Sequence, residues 1–204
     1  MARSFLTAAI VLSCSTFLLA VEPKRQAPPT TQPAAAADET HVPLTITGGH
    51  DTDPRDHGRP VILVAAGLKV PEEVFRETFT HVRPSHDGPP TAERAQQNKK
   101  ALMDGLAKYG VTNDRLDEVS NFYRYQAQKG QLWKNAAAAG YAIVKDGKIA
   151  SIVVTDPGYG YSSEPKVSVK GFDVALNATV AYGTDLMKNN GSIKEIVVAP
   201  GSDK

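Results

Sequence analysis

The chain of 204 residues contains one cysteine, Cys14, and one tryptophan, Trp133. A single thiol excludes an internal disulfide and a cysteine-based zinc cluster. Charge of one sign is equally scarce: 23 Lys and Arg stand against 22 Asp and Glu, a formal net charge of +1. Such a balance lacks the basic excess that a nucleic-acid or membrane-surface binder needs. No apolar run reaches the ~20 residues that span a bilayer as a helix. A glycine-rich phosphate loop, a G-x-S-x-G elbow and a dinucleotide fingerprint are also missing. No histidine follows His86, so a Ser-His-Asp site on Ser162 or Ser163 would have to draw its base from far upstream. What remains is an ordinary globular composition, 41% apolar, 22% charged and 7% aromatic, sufficient for one or two packed domains.

The N-terminus reads as an export signal. After Met1-Ala2-Arg3, residues Phe5 to Ala20 are apolar or small and uncharged. A short basic start followed by such a run is a secretory signal over residues 1–20, with cleavage near Ala20. Leu18, two residues earlier, is larger than the small side chain usually preferred there. Val11-Leu12-Ser13-Cys14 is similar to the lipobox of bacterial lipoproteins, whose cysteine is lipidated and becomes the mature terminus. The alternatives to cleavage near Ala20 are therefore lipid anchoring through Cys14 and an uncleaved anchor. Residues 21–40 are Pro/Ala-rich, with four prolines between Val21 and Ala37, and read as an extended tether.

The body changes character along its length. Residues 41–130 hold seven arginines, five lysines and all five histidines, while residues 131–204 hold eight lysines and neither arginine nor histidine. Apolar periodicity changes at the same place. The expected fold class is α+β: a small four-helix module over 41–130, then a small antiparallel β module over 141–204 with an internal repeat. Pro60 suits an early helical position ahead of the all-apolar Val61 to Leu68, with Gly67 as its stop. Glu72 and Glu73 suit a first turn ahead of Phe75, Phe79 and Val82. Thr91 can cap a third helix that stops at Gly110, and Thr112 or Asn113 a fourth carrying Leu116, Val119, Phe122 and Tyr123 inward. The elbow Tyr109 to Asn113 is similar to a helix-turn-helix turn, but Asp114, Asp117 and Glu118 would repel phosphates, so it reads as a plain helical hairpin.

In the β module, Gly147-Lys-Ile149-Ala-Ser-Ile152-Val-Val154 matches Gly191-Ser-Ile193-Lys-Glu-Ile196-Val-Val198 at an offset of 44 residues. Asp146-Gly147 and Asn190-Gly191 precede the two strands as turn signals. The run from Asp146 through Pro157-Gly-Tyr159-Gly-Tyr161-Ser-Ser to Val167 resembles the glycine-tyrosine β repeat of phage tail and fibre proteins and of secreted bacterial proteins. The resemblance covers roughly residues 141–200, and the second copy stops at Pro200-Gly201. It implies exposed β structure in a structural or display unit, and no chemistry.

Three stretches are candidates for a site. His50, Asp51, Asp53, Asp56 and His57 pack imidazoles and carboxylates suited to a divalent metal, with His41, His81 or His86 as a further ligand. The competing reading has Asp53 and Asp56 building a turn and a cap while Arg55 and Arg59 pair with the carboxylates. Tyr125 and Trp133, near Arg124, could stack on a sugar or peptide, or seal the junction between modules. Tyr159 and Tyr161 could be exposed ligand contacts, or pack on the sheet around a glycine-shaped turn. The resulting expectation is an exported, periplasmic or extracellular, non-catalytic binding or scaffold protein of the bacterial envelope. It has no resident cofactor, no nucleic-acid partner and no membrane span after processing, and its partner is a protein or glycan of the envelope. The alternative is a metal-binding protein or metal-dependent enzyme using residues 50–57.

Overall fold

The computed structural model describes residues 39–83, 85, 90–126 and 129–200. The segment expected to direct export, with Cys14, nearly all of the expected tether, and His86 lie outside these residues. In chain order the elements are β1 (Thr40–Thr47), α1 (Val61–Leu68), α2 (Glu72–Phe79), α3 (Ala92–Leu106), α4 (Asn113–Phe122), β2 (Ala139–Lys145), β3 (Lys148–Asp156), β4 (Lys166–Val169), β5 (Leu176–Ala181) and β6 (Ser192–Val198). The class is α+β.

Local chemistry accounts for the helix boundaries. Thr91 accepts the Arg94 N–H at the start of α3, and Thr112 accepts the Arg115 N–H at the start of α4. Gly110, at φ 84°, ends the turn that follows α3. The stop of α1 differs from expectation. It falls at Lys69, left-handed at φ 59°, whose N–H donates to the Ala65 and Ala66 carbonyls. Gly67 is instead buried within the helix, where an added Cβ would lie 2.9 Å from Leu186 Cδ2 and 3.1 Å from Val119 Cγ1. Glycine there permits close packing rather than a cap.

The strands form one six-stranded sheet in the order β3-β2-β1-β4-β5-β6, antiparallel throughout. β1 pairs along its first half with β2 and along its second half with β4. The division near Gly130 therefore does not separate two folds: the described residues on both sides of it belong to one compact unit, and a strand from the N-terminal stretch is central to the sheet. Two cores exist, but neither follows the sequence boundary. The helical core includes Trp133 and Leu186, and the sheet core takes in Leu44 and Ile46 of β1.

The sheet curls until its ends meet. The Ile193 N–H donates to the Pro157 carbonyl (2.9 Å), and the Tyr161 N–H donates to the Gly191 carbonyl (3.0 Å). Residues of the two sequence copies make β3 and β6, the two ends of the strand order. Hairpins β2–β3 and β5–β6 pair alike: Val144 faces Ile149 and Ala142 faces Ile152 in one, while Val180 faces Ile193 and Ala178 faces Ile196 in the other. A register shift falls beside Val144 and beside Val180. Asp146 and Gly147, left-handed at φ 50° and 74°, close the first hairpin as expected. Asn190-Gly191 is not a hairpin turn, since residues 182–191 separate β5 from β6. Asn190 is wholly buried and donates from Nδ2 to the Leu63 carbonyl (2.8 Å), tying the loop to α1.

Candidate functional site

Gly48 and Gly49, at φ 72° and 80°, turn the chain out of β1 into the His/Asp stretch. Asp53 caps a 3-10 turn over Pro54–Asp56, accepting the Arg55 N–H at 2.9 Å. The Arg55 side chain also donates to its carboxylate, which is held at a pKa of about 2 by that hydrogen bonding. Asp56 is 3% exposed and accepts from Arg76 Nε at 2.7 Å and Nη2 at 3.0 Å. Arg76 also pairs with Glu72 and with Glu73, and the hydrogen bonds to Asp56 raise its pKa further above its ordinary value. These groups clamp the turn onto α2; the turn is as expected, but the following helix α1 has no side-chain cap at Pro60, and Asp56 goes to Arg76 instead. Arg59 also departs from the turn-and-cap reading, since it makes no ion pair among the described residues.

The histidines go elsewhere. His50 is half-buried, stacked on Tyr161 at 5.3 Å between ring centroids and tilted against Trp133 at 6.0 Å. Burial lowers its pKa below the usual imidazole range. Asp51 is held through its backbone: its N–H donates to Ser163 Oγ at 3.1 Å, and Ser162 Oγ donates to its carbonyl at 2.6 Å. Both serine hydroxyls are thus engaged in holding this loop. His57 is exposed at a left-handed φ of 52°. His41 pairs with Glu39 and stacks on Tyr141, and His81 lines a hollow between α2 and α3. The candidate ligands His50, Asp51, Asp53, Asp56 and His57 therefore do not converge. Among the described residues, no group of three or more His, Cys, Asp or Glu could hold a metal ion.

The aromatic candidates join the helices to the sheet. Trp133 is 2% exposed and donates from Nε1 to the Gly160 carbonyl at 2.8 Å. Tyr161 is 3% exposed, and its hydroxyl accepts the Ala138 N–H at 2.9 Å. Neither presents a face to solvent, which corrects the reading of them as ligand contacts. Tyr159 is half-buried, its ring 6.1 Å from that of Phe122. Tyr125 packs edge-on against Trp133 at 5.6 Å and donates its hydroxyl to the Gly58 carbonyl.

Tyr125 also borders a feature the sequence reading missed. A hollow of about 390 Å³ opens between α1, the C-terminal end of α4 and the facing sides of α2 and α3. Val64, Phe75, Phe79 and Leu102 make its apolar wall, and Arg59, Arg124 and Ser120 supply its polar groups. The Arg59 guanidinium sits 4.7 Å from the Phe79 ring centroid, and its Nε is buried without a hydrogen-bond partner. Arg124 is exposed and makes no ion pair among the described residues. The signal was present in both arginine-bearing stretches. What sequence could not show is that residues 65 positions apart face one hollow.

This arrangement can grip an apolar body by burial and an anion by guanidinium hydrogen bonds. Comparison of the chain with protein-family models, with curated proteins and with solved structures finds no match.

Proposed function

We propose that this chain is an exported, non-catalytic binding protein of the bacterial cell envelope or exterior. Its helices hold the ligand and its curled sheet serves as the frame. The observation that carries the reading is the hollow itself: an apolar wall with two guanidiniums, Arg59 and Arg124, that no carboxylate of the described chain neutralises. Arg55 and Arg76, by contrast, are held by carboxylates. A few convergent polar groups in an apolar concavity are the usual form of a small-ligand or peptide site. Asp53 and Asp56 are engaged by arginines, and Ser162 and Ser163 hold the Asp51 loop, while His57 borders the hollow. Export rests on the run Phe5 to Ala20. The matched hairpins β2–β3 and β5–β6 support treating the frame as two copies of one unit.

Two measurements test the reading. Residues 1–40 fused to alkaline phosphatase should give activity in a bacterial host, since that enzyme matures only outside the cytoplasm; an inactive fusion overturns export. Titration of the labelled full chain with a mixture of small organic acids, amines and sugars should shift the NMR signals of Val64, Phe79, Leu102 and Ser120. Absence of any shift there overturns the binding site.

A further inference from the structure

We propose that this hollow is the middle of one continuous groove that takes an extended peptide segment of a partner protein, its carboxylate side chains interspersed among apolar ones. The inference rests on the binding reading above and names the partner class. Two further hollows, of about 350 and 360 Å³, flank the middle one. Arg59 and Phe79 form the wall shared with the first, and Leu102, Ser120 and Arg124 the wall shared with the second. Each flanking hollow offers some apolar side chains, Val61, Phe79 and Val82 in the first and Ala95, Leu102 and Leu116 in the second, beside a cationic dividing wall.

Charge decides the occupant. The two carboxylates that line the groove are already neutralised, Asp56 by Arg76 and Asp117 by Lys99 at 2.6 Å. Arg59 and Arg124 are left without a carboxylate, each on a dividing wall. A small organic anion needs one hollow and one cation. Three hollows in series, separated by two unpaired guanidiniums, match a chain that advances about 3.3 Å per residue and presents anchors repeatedly. Bidentate carboxylate bonding to the outer nitrogens of the guanidiniums would fix its register.

The test uses the full chain and three fluorescein-labelled probes: acetyl-(Glu-Ser-Leu-Ser)₂-amide, whose Glu and Leu side chains alternate along one face of the extended chain, its twin with Gln for Glu, and its twin with Lys for Glu. Fluorescence anisotropy should show the Glu peptide binding at least tenfold more tightly than the Gln twin, with the Lys twin weakest. Arg59→Gln and Arg124→Gln should each weaken the Glu peptide about tenfold, the loss of one charge-assisted contact, and leave the Gln twin unchanged. Arg124 is exposed, so its variant should melt with the parent and keep the comparison meaningful even if Arg59→Gln perturbs folding. Equal binding of the three peptides overturns the proposal. So does 2-naphthoate binding as tightly as the Glu peptide and displacing it fully, which marks a small-anion site. If no peptide binds while small fragments still shift the middle hollow, the groove fails and the binding reading stands; if neither binds, both fail.

Discussion

Replacing Gly191 and Gly147 with alanine, one at a time, separates backbone strain from steric exclusion. The two glycines occupy matching places in the sequence repeat and share a left-handed backbone, φ 69° and 74°. An alanine in that region costs about 1 kcal/mol from conformation alone. At Gly147 nothing lies within 4 Å of the added methyl, so that cost is the whole effect. At Gly191 the methyl would lie 2.5 Å from the Tyr161 carbonyl oxygen, 2.6 Å from its nitrogen and 2.8 Å from Leu63 Cδ2. Two of those atoms are backbone and cannot rotate away. Relief requires moving the segment whose Tyr161 N–H donates to the Gly191 carbonyl, which is the contact that helps close the curled sheet. Overpacking of this kind adds about 1–3 kcal/mol, for a total of roughly 2–4 kcal/mol. For a unit of this size, Gly147→Ala should lower the melting temperature by about 2–4 °C and Gly191→Ala by roughly 5–15 °C. Circular dichroism melts, with urea titrations to verify an unchanged m-value, measure both. Equal losses would refute the close approach and make Gly191 an ordinary turn glycine.

Other perturbations test the clamp and the buried imidazole. Arg76→Gln strands Asp56, 3% exposed, without its guanidinium and should cost about 3–5 kcal/mol in urea titration; a loss under 1 kcal/mol would mean that the clamp does not hold the turn. His50 has its pKa depressed by burial, so the unfolded chain takes up a proton at higher pH than the folded one, and stability should fall as pH drops below about 6.5. His50→Gln should flatten the pH 7.5-to-5.5 decline in melting temperature, and an unchanged decline would place its origin elsewhere. The Asp53 carboxylate is depressed to a pKa of about 2, so its contribution is complete above the ordinary carboxylate range and lost as pH falls from about 4 toward that value; Asp53→Asn should show less acid sensitivity in that window. Zinc or manganese should leave the wild-type melting temperature unchanged, because His50, Asp53 and Asp56 are held by different partners and His57 stands apart at the surface. A rise of several degrees, lost in His50→Gln and His57→Gln, would restore the metal reading.

Sequence by itself determined the features that depend on neighbours along the chain. Val61 to Leu68 is α1, Thr91 and Thr112 cap α3 and α4, Gly110 ends the intervening turn, and Asp146-Gly147 closes β2–β3. Each follows from side-chain capping, backbone freedom or apolar periodicity within a few residues. The aromatic cluster and the turn-forming role of Asp53 and Asp56 were legible for the same reason. Only the tertiary structure decided the rest. β1 alternates apolar residues at Val42, Leu44 and Ile46, but its partners lie about a hundred residues downstream, so nothing local marks it as central. Gly67 and Gly191 look like stop and turn glycines until Val119, Leu186, Leu63 and Tyr161 are brought against them. Arg55 and Arg59 are equivalent in sequence, four residues apart among the same carboxylates. Arg55 pairs with its neighbour Asp53 and, through the packing of α2, with Glu73, while the same packing lays Arg59 over Phe79 beside Arg124, because which faces meet in space decides both.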